Sequence, residues 1–493
     1  MVSKSKVPPQ LLGPLLQVFE LGGEQVEAFG FHEGRHYSGP GGAELASGAE
    51  TCSVYTVNQE ATPKSLGALD RLRDWGQRVA AAVLPGLAPA PRRQKGLLGE
   101  LEQLLAESRA QRGGEMSARE RAQRIAAAYR GGDADERAAI LGLVSREFMP
   151  ERAALDAAVG AMRAASDAER AHAEAQLRVA LDAPRAKFLA QFNLLPDGVK
   201  FLVDLRADLL GFLEREPALE VLRVELDGLL ENWFDPGFLE LRRITWQSPA
   251  LVLEKLIAYE AVHRIESWDD LKNRLDLDRR CYAFFHPRMP NEPLIFVEIA
   301  LAKGLPGSVQ VLLDERAPIG DIRAADTAVF YSISNAQKGL RGISLGNLLL
   351  KRVIADLQKD LPWLKTFATL SPLPGFRHWL AAQEGLPPGL AELKGGAAPT
   401  ETLREPLLKL GARYLVQEKS GAAPLDPVAQ FHLNNGASVD RIFWMADASE
   451  RGLAQSCGMM VSYRYEPAEV DRNHDEFMRS GRVAAARRVV RLL

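Results

Sequence analysis

The sequence has few of the residues that mark a specialised class of protein. Its 493 residues include three cysteines, Cys52, Cys281 and Cys457, which lie far apart and form no CxxC pair. This spacing indicates neither a disulfide framework nor a zinc site, so it favours a reducing compartment. The sequence also lacks a run of about 20 apolar residues and an obvious secretory leader. We therefore predict a cytoplasmic protein with no membrane partner.

The chain also lacks a strong net charge of either sign. Its formal net charge is −3, with 46 % hydrophobic and 25 % charged residues. Nucleic-acid-binding proteins usually carry a basic face or stripe, so this balance predicts no nucleic-acid partner. The proportions are ordinary for two or three globular domains with ample core.

Composition divides the chain into three parts. Residues 1–64 contain a Gly- and Ser-rich stretch with too little apolar area to offset chain entropy, which predicts a mostly flexible segment. Residues 65–233 are rich in Ala, Leu, Arg and Glu and predict a helical bundle. Residues 234–493 alternate strand-like and helical patterns, which predicts an α/β (α+β) domain.

Local patterns add detail to the helical part. Ser117 with Glu120, and Ser166 with Glu169, have the spacing of capping boxes and predict two helix starts. An apolar stripe with a helical period is formed by Val221, Leu222, Leu226, Leu229 and Leu230. We expect this stripe to pack on neighbouring helices.

The C-terminal part contains a strand, turn, helix and strand in succession. Residues 280–301 predict two strands around a Pro/Asn turn, and residues 326–334 predict a third. A Gly-rich turn, a helix from about Leu345 and the apolar run "TFATLSPL" follow. Residues 383–426 predict a helical insertion, and "SVDRIFWMAD" with "CGMMVSYRYEP" predicts a closing pair of strands.

The turn "GLRGISLGN" is a candidate anion site. Its glycines, Gly339, Gly342 and Gly346, lie between a strand and a helix, where backbone N–H groups can bind phosphate oxygens. The dinucleotide pattern GxGxxG and the Walker ending GK[ST] are both missing. Such a turn is more often structural, and its neighbours Arg341 and Lys338 favour an anionic ligand only modestly.

Ser371 and His432 are candidate catalytic residues, although each has a simpler structural interpretation. Ser371 ends an apolar run and precedes Pro372, a pair that usually starts a turn, and no GxSxG surrounds it. His432 lies between apolar residues, as a buried structural histidine would, yet imidazole is well suited to proton transfer. The "NNG" sequence beside it predicts a loop position.

Two tyrosines near the C-terminus form a further candidate. Tyr463 and Tyr465 alternate with Ser462 and Arg464, as expected of a strand with one buried face. We predict that one of the tyrosines lines a pocket.

Long strings of the C-terminal part resemble the malonyl-CoA decarboxylase family. They are "FDPGFLELRRITWQSPA", "HPRMPNEPLIFVEIALA", "FYSISNAQKGLRGISLGNLLLKRV", "LSPLPGFRHWL" and "DPVAQFHLNNGASVDRIFWMADASERGLAQSCGMMVSYRY". The resemblance covers residues 234–466 densely and implies a helical N-terminal domain followed by a GNAT acetyltransferase-like catalytic domain. It also implies conversion of malonyl-CoA into acetyl-CoA and CO2.

The same resemblance implies roles for individual residues. The family's catalytic Ser and His fall on Ser371 and His432, and Tyr465 and Ser332 match residues near the acyl group. The CoA pyrophosphate would be bound by the backbone of Arg341, Gly342, Ile343, Ser344, Leu345, Gly346 and Asn347. Ser344 departs from the pattern, because some relatives carry Glu at that position.

The implied chemistry needs no separate cofactor. Loss of CO2 from malonyl-CoA leaves an enolate conjugated with the thioester, so we expect no metal, pyridoxal phosphate, thiamine diphosphate or biotin, and CoA is part of the substrate. The family tends to assemble through its helical domain, which implies a homotetramer or homodimer. Two alternatives stay open: a GNAT-type acyl-CoA N-acyltransferase, which needs an amine acceptor, and a non-catalytic acyl-CoA-binding protein.

Overall fold

The computed structural model describes residues 94–110, 113–181, 184–343, 345–421 and 423–493. The predicted flexible segment, residues 1–64, lies outside these ranges, and so does Ser344. Among the described residues, none of the helices is both long enough and apolar enough to cross a membrane.

The N-terminal part of the described chain is helical, as its Ala- and Leu-rich composition predicts. Its helices are α1 (Gln94–Arg109), α2 (Glu115–Gly131), α3 (Ala134–Glu147), α4 (Arg152–Ala164), α5 (Arg170–Leu181), α6 (Pro184–Ala190), α7 (Gly198–Phe212) and α8 (Glu220–Trp233). Short 3₁₀ turns connect α6 to α7 and α7 to α8.

The start of α2 differs from the predicted capping box. The helix begins at Glu115, so Ser117 lies inside it, and the box with Glu120 is wrong. Two glycines explain the earlier start: Gly113 has φ +81°, and the extended Gly114 occupies the N-cap position. The chain therefore turns into the helix without a capping hydroxyl.

The second predicted box forms only in part, and a complete one lies elsewhere. Before α5, the Glu169 carboxylate accepts hydrogen bonds from Ser166 N (3.1 Å) and Ser166 Oγ (2.6 Å), so the hydroxyl donates to the carboxylate. At α3, Asp133 Oδ1 accepts from Glu136 N (2.9 Å) and Glu136 Oε2 accepts from Asp133 N (3.0 Å). An aspartate can cap a helix as well as serine does.

The apolar stripe of α8 packs largely as predicted. Leu222, Leu226 and Leu230 are fully buried, and Leu229 is partly buried against the core. Val221 is 48 % exposed, so its predicted burial is wrong. Adjacent residues point about 100° apart around a helix, so a residue next to the buried stripe can face solvent.

A single sheet organises the C-terminal part. Its strands are β1 (Glu240–Ile244), β2 (Arg279–Phe285), β3 (Ile295–Ala302), β4 (Thr327–Asn335), β5 (Thr366–Thr369), β6 (Ser371–Pro372), β9 (Ser438–Phe443) and β10 (Met460–Arg464). The order is β1-β2-β3-β4-β5-β10-β6, with β9 also paired to β10. A separate ribbon joins β7 (Lys419–Ser420) and β8 (Ala423–Pro424). The predicted hairpin, closing pair and third strand are confirmed.

Helices surround this sheet. They are α9 (Ala250–Tyr259), α10 (Trp268–Arg274), α11 (Gln310–Leu313), α12 (Gly346–Asp360), α13 (Phe376–Ala382), α14 (Pro388–Glu392), α15 (Arg404–Val416), α16 (Pro427–Asn434), α17 (Glu450–Ser456), α18 (Val470–Ser480) and α19 (Arg487–Val490). The predicted insertion at 383–426 contains α14 and α15, and is thus helical as expected.

Apolar side chains cover both faces of the sheet. One large cluster joins the helical part to one face, and two smaller clusters cover the other. The predicted order of a helical N-terminal part followed by an α/β domain is confirmed, and the GNAT-like character of that domain stays a prediction. Because the helices and the sheet share a core, the domain boundary at residues 233 and 234 stays a prediction.

β4 and β5 form the parallel pair of the sheet, with α12 as the crossover that such a pair requires. Their pairing ends at Phe330 and Thr369, although β4 continues to Asn335. After Thr369 the chain leaves β4 but stays beside β10, with which it pairs at Ala368 in β5 and at Ser371 in β6. The two neighbouring strands therefore diverge and leave a gap in the sheet.

Candidate active site

A cavity of about 250 Å³ opens where β4 and β5 diverge. Residues of β4, β6 and α16 form its walls, and they include Ser332, Ser371 and His432. Apolar side chains such as Phe330 and Phe431 line much of the remainder. Three of the residues predicted to be catalytic thus face one small, mostly apolar space.

Ser371 is fixed at the start of β6 by its strand pairing and by a hydroxyl neighbour. It pairs with Val461 on β10, and its side chain is buried. Ser371 Oγ donates a hydrogen bond to Thr369 Oγ1 at 2.9 Å, and that oxygen also accepts from Tyr463 N at 3.1 Å. The Ser371 hydroxyl therefore has a defined direction before any ligand arrives.

His432 lies on a helix, so its predicted loop position is wrong. Asp426 caps α16 by accepting a hydrogen bond from Ala429 N at 2.8 Å, and Pro427 occupies the first turn. Both residues favour a helix start at this point. The "NNG" sequence ends the helix instead, with Gly436 at φ +77°. His432 consequently projects from the last turn of a short, capped helix.

The structure brings Ser371, His432 and Tyr465 together. His432 Nε2 is 3.3 Å from Ser371 Oγ, and His432 Nδ1 is 2.7 Å from Tyr465 Oη. The Tyr463 ring stacks on the imidazole with centroids 4.4 Å apart. Both ring nitrogens of His432 thus have a hydroxyl neighbour, and the ring plane is fixed by packing. The catalytic roles of the three residues stay predictions.

Burial keeps these groups uncharged. It lowers the pKa of His432 to about 3 and raises the pKa of Tyr465 well above its ordinary value. A neutral imidazole carries one proton, and because Ser371 Oγ already donates to Thr369, that proton is on Nε2, which donates to Ser371 Oγ. The unprotonated Nδ1 then accepts a hydrogen bond from Tyr465 Oη. Nε2 then carries the proton beside the cavity.

Ser332 also lines the cavity, but it belongs to another hydrogen-bond group. Its Oγ donates to Glu260 Oε1 at 2.6 Å. The same carboxylate accepts from Ser334 Oγ at 3.0 Å and from Val262 N at 2.9 Å. The structure thus places Ser332 in the part of the cavity wall that β4 forms, outside the hydrogen-bond group of Ser371 and His432.

The two tyrosines are buried, but the one-face pattern predicted for their strand is wrong. Tyr463 and Tyr465 point to one face of the strand and Ser462 points to the other, and each of the three is at most 1 % exposed. β10 lies inside the sheet, between β5 with β6 on one side and β9 on the other. Both edges of this strand are therefore paired, and the burial of Tyr463 and Ser462, which point to opposite faces, shows that both faces are covered there, whereas Arg464 is partly exposed.

The Gly-rich turn connects β4 to α12, where a phosphate-binding turn was predicted. Gly342 has φ +89°, in the left-handed region that glycine adopts readily. The N–H groups of Arg341, Ile343 and Leu345 donate to carbonyl oxygens within the turn, at 3.0 to 3.2 Å. The CoA-binding role of residues 341–347 stays a prediction.

Sequence reasoning missed two residues that shape the site, Thr369 and Glu260. Thr369 precedes Ser371 by two positions, so it lies on the same face of the strand, and that period was an available signal. Glu260 is 72 positions from Ser332, and no local pattern connects them.

A second cavity and a metal-site sequence pattern were also considered as candidate sites. A groove of about 790 Å³ between α4 and α5 is lined mainly by alanines, with Glu151 and Gln176 as its polar residues. We assign the site to the smaller cavity because the groove contains no nucleophile and no histidine. A string with HExxH spacing, "HEGRH" at residues 32–36, lies outside the described ranges, so the absence of a metal stays a prediction.

Comparison with known proteins identifies the family. The family model for the malonyl-CoA decarboxylase C-terminal domain matches residues 237–493, and the model for its N-terminal domain matches residues 148–234. The mitochondrial malonyl-CoA decarboxylase of the goose Anser anser anser is 38 % identical over 409 residues, which cover 73 % of this chain and 81 % of the relative. The mouse protein of the same name is 37 % identical over 406 residues, or 73 % of this chain and 82 % of the relative.

Comparison with solved structures indicates the same family. The malonyl-CoA decarboxylase of Rhodopseudomonas palustris has a TM-score of 0.74 and 40 % identity, covering 81 % of this chain and all of that chain. The enzyme of the same name from Agrobacterium vitis has a TM-score of 0.73 and 39 % identity, covering 80 % and 99 %. By sequence and by structure, this chain belongs to the malonyl-CoA decarboxylase family.

Proposed function

We propose that this protein converts malonyl-CoA into acetyl-CoA and CO2, as the names of its relatives indicate for them. The observation that supports this most directly is the 3.3 Å separation of Ser371 Oγ and His432 Nε2 in the wall of the cavity. A serine hydroxyl beside a buried neutral imidazole supplies two neutral hydrogen-bond donors for an acyl group.

The first step is binding of the malonyl carboxylate beside these donors. Ser371 turns its hydroxyl from Thr369 to the carboxylate, and His432 offers Nε2–H. Decarboxylation requires the carboxylate to be ionised, so a donor that orients it must not protonate it. A neutral imidazole and a neutral hydroxyl meet that requirement.

The second step breaks the bond between C2 and the carboxylate carbon. CO2 leaves, and the electron pair of that bond passes to C2 and the thioester carbonyl as an enolate. The apolar wall, with Phe330, Val428 and Phe431, solvates neutral CO2 better than it solvates the charged carboxylate. Exclusion of water also strengthens each hydrogen bond to the developing charge.

The third step returns a proton to C2. A thioester enolate is a stronger base than an imidazolate, so the neutral Nε2–H of His432 can donate its proton to C2, which leaves the ring as an imidazolate. Tyr465 Oη donates to Nδ1 at 2.7 Å and stabilises the ring as the proton leaves. Solvent restores that proton after acetyl-CoA departs, so each turnover consumes one proton. General acid catalysis of this kind contributes about 100- to 10,000-fold.

Several further properties belong to the same proposal. The thioester acts as the electron sink, so the reaction uses no metal or organic cofactor, and the nucleotide end of CoA lies at residues 341–347. The chain acts as a homodimer or homotetramer. We place it in the cytoplasm, although the curated relatives from goose, mouse and rat carry the word mitochondrial in their names.

The test is incubation of the pure protein with malonyl-CoA and no amine, followed by mass spectrometry. We expect acetyl-CoA to appear in step with CO2. A requirement for an added amine, with an N-acyl product, would indicate an acyltransferase instead. Tight CoA binding without any CO2 would indicate a binding protein.

A further inference from the structure

Helix α7 of the helical part packs directly against the Gly-rich turn. A Cβ atom on Gly339 would lie 1.7 Å from the carbonyl oxygen of Val203, so the two backbones are in contact. Three residues further along α7, the side chain of Arg206 reaches the same turn. One side of the turn predicted to bind CoA is thus formed by a helix from the other part of the chain.

The Arg206 guanidinium connects three elements. Its Nη1 donates to the carbonyl oxygens of Gly339 at 2.7 Å and Arg341 at 2.8 Å. Its Nε donates to Asp227 Oδ1 on α8 at 2.5 Å. Arg206 is 3 % exposed, so these bonds form away from water. Charge-assisted hydrogen bonds in such a setting are strong and directional.

Fixing these carbonyl groups also fixes the N–H groups of the same peptides. A trans peptide is planar, and its C=O and N–H point in opposite directions. The peptide that joins Arg341 to Gly342 turns its oxygen towards Arg206, so the Gly342 N–H points away from α7. An anion on that outer side meets an N–H group rather than a carbonyl oxygen.

We propose that Arg206 is a positioning residue for the CoA pyrophosphate. It acts through the backbone of the turn, so the helical part contributes indirectly to substrate binding, beyond any role in assembly. This inference rests on the proposed function, because it takes residues 341–347 as the place where CoA binds.

The test variant is Arg206→Lys. Lysine keeps the charge but replaces the planar fork, and one ammonium cannot reproduce the three bonds in their present geometry. Calorimetry gives the dissociation constant of CoA, and steady-state kinetics give kcat and KM for malonyl-CoA. We expect CoA affinity to fall and KM to rise by about tenfold. We expect kcat to change by less than about twofold, because the acyl cavity is untouched.

Arg185→Lys is the matched control. Arg185 is also a buried arginine of the helical part, and its Nε donates to Glu225 on α8 at 2.9 Å. Its Nη1 donates to Ser145 O at 3.1 Å, far along the chain from the turn. This variant carries the same chemical change, and we expect it to leave CoA affinity unchanged.

A truncated substrate separates the pyrophosphate from the acyl group. Malonyl-pantetheine lacks the nucleotide and its phosphates, so we expect equal kcat/KM for wild type and Arg206→Lys with this substrate. If Arg206→Lys does not fold, Asp227→Asn removes the carboxylate that orients the guanidinium and is expected to weaken CoA binding in the same direction.

Several results would overturn the inference. One is unchanged CoA affinity in the folded Arg206 or Asp227 variant. Another is a loss of CoA affinity in Arg185→Lys as large as that in Arg206→Lys. A third is a fall in kcat/KM of Arg206→Lys with malonyl-pantetheine as large as its fall with malonyl-CoA. Wild-type protein that binds no CoA would overturn this inference together with the proposed function. The expected loss of CoA affinity in a protein that releases no CO2 would support the inference and contradict only the decarboxylation.

Discussion

Burial at single residues determines which protons the site can offer. A histidine in water has a pKa of about 6.5, whereas burial lowers the pKa of His432 to about 3. Its imidazole is therefore neutral at physiological pH, with Tyr465 and Ser371 at its two nitrogens. The burial that is typical of a structural histidine thus also makes His432 a neutral proton donor.

Removing that donor tests the role of His432. We expect His432→Asn to lower kcat for malonyl-CoA by about 100- to 10,000-fold, because C2 loses its proton source. We expect the dissociation constant of CoA to change by less than about threefold, since CoA carries no malonyl group for His432 to contact. Kinetics and calorimetry measure the two quantities. Equal losses in both would show that His432 only supports the fold.

The low pKa of His432 also predicts how stability depends on pH. Below pH 6.5 the unfolded chain binds a proton at this residue and the native protein does not, so its contribution to stability falls as pH falls from 6.5 towards 3. The loss approaches about 1.4 kcal/mol for each pH unit. We expect the free energy of unfolding of His432→Gln, measured with urea, to lack this part of the pH dependence.

The exposed His378 provides the control for that measurement. His378→Gln is expected to follow the wild-type profile between pH 4 and 7. An identical profile for His432→Gln and wild type would show that the imidazole takes up its proton at the same pH in the native protein as in the unfolded chain.

Among elements, α16 and the diverging strands create the site. β4 and β5 separate after Phe330 and Thr369, and α16 closes the gap from one side. The position of His432 depends on where α16 starts, and Asp426 determines that start by capping the helix. A short helix of this kind needs its cap, because it has few internal hydrogen bonds.

The cap of α16 can be compared with a cap far from the site. We expect Asp426→Ala and Asp133→Ala each to lower the free energy of unfolding by about 1 kcal/mol, since each removes an N-cap bond. Only Asp426→Ala is expected to lower kcat, by about tenfold or more, because His432 shifts. Denaturant unfolding and kinetics measure both effects. A similar kcat in both variants would show that α16 is positioned by packing alone.

Local sequence patterns predicted most elements, and the exceptions have physical causes. Strands β2, β3 and β4 were predictable because their apolar runs are bounded by turn residues. The helix under His432 was missed because "NNG" was interpreted as the local structure, although Asp426 and Pro427 marked a helix start just before it. The box at Ser117 was wrong because two glycines allow the helix to begin earlier.

At the scale of the whole molecule, the sequence predicts the parts better than their contacts. Composition separates the helical part from the sheet part, because helix and strand formers differ. The bond from Arg206 to Gly339 spans 133 positions, and the bond from Ser332 to Glu260 spans 72. Pairings over such distances depend on the packed fold, so no local pattern contains them. Ser371 and His432 were paired only through the family resemblance.

Assembly is a prediction at this same scale. The family resemblance implies a homodimer or homotetramer, and light scattering on the full chain measures the mass directly. We expect two or four times the mass of one chain. A mass equal to one chain across micromolar concentrations would contradict the predicted assembly.

In the proposed function, Ser371 and His432 act on one malonyl group in the cavity between β4 and β5. The most direct measurement is a crystal structure with a stable malonyl-CoA analogue that cannot lose CO2. We expect the analogue's carboxylate to lie within about 2.6 to 3.2 Å of both Ser371 Oγ and His432 Nε2. An analogue bound with its carboxylate outside that cavity, or in contact with neither residue, would contradict the proposed function.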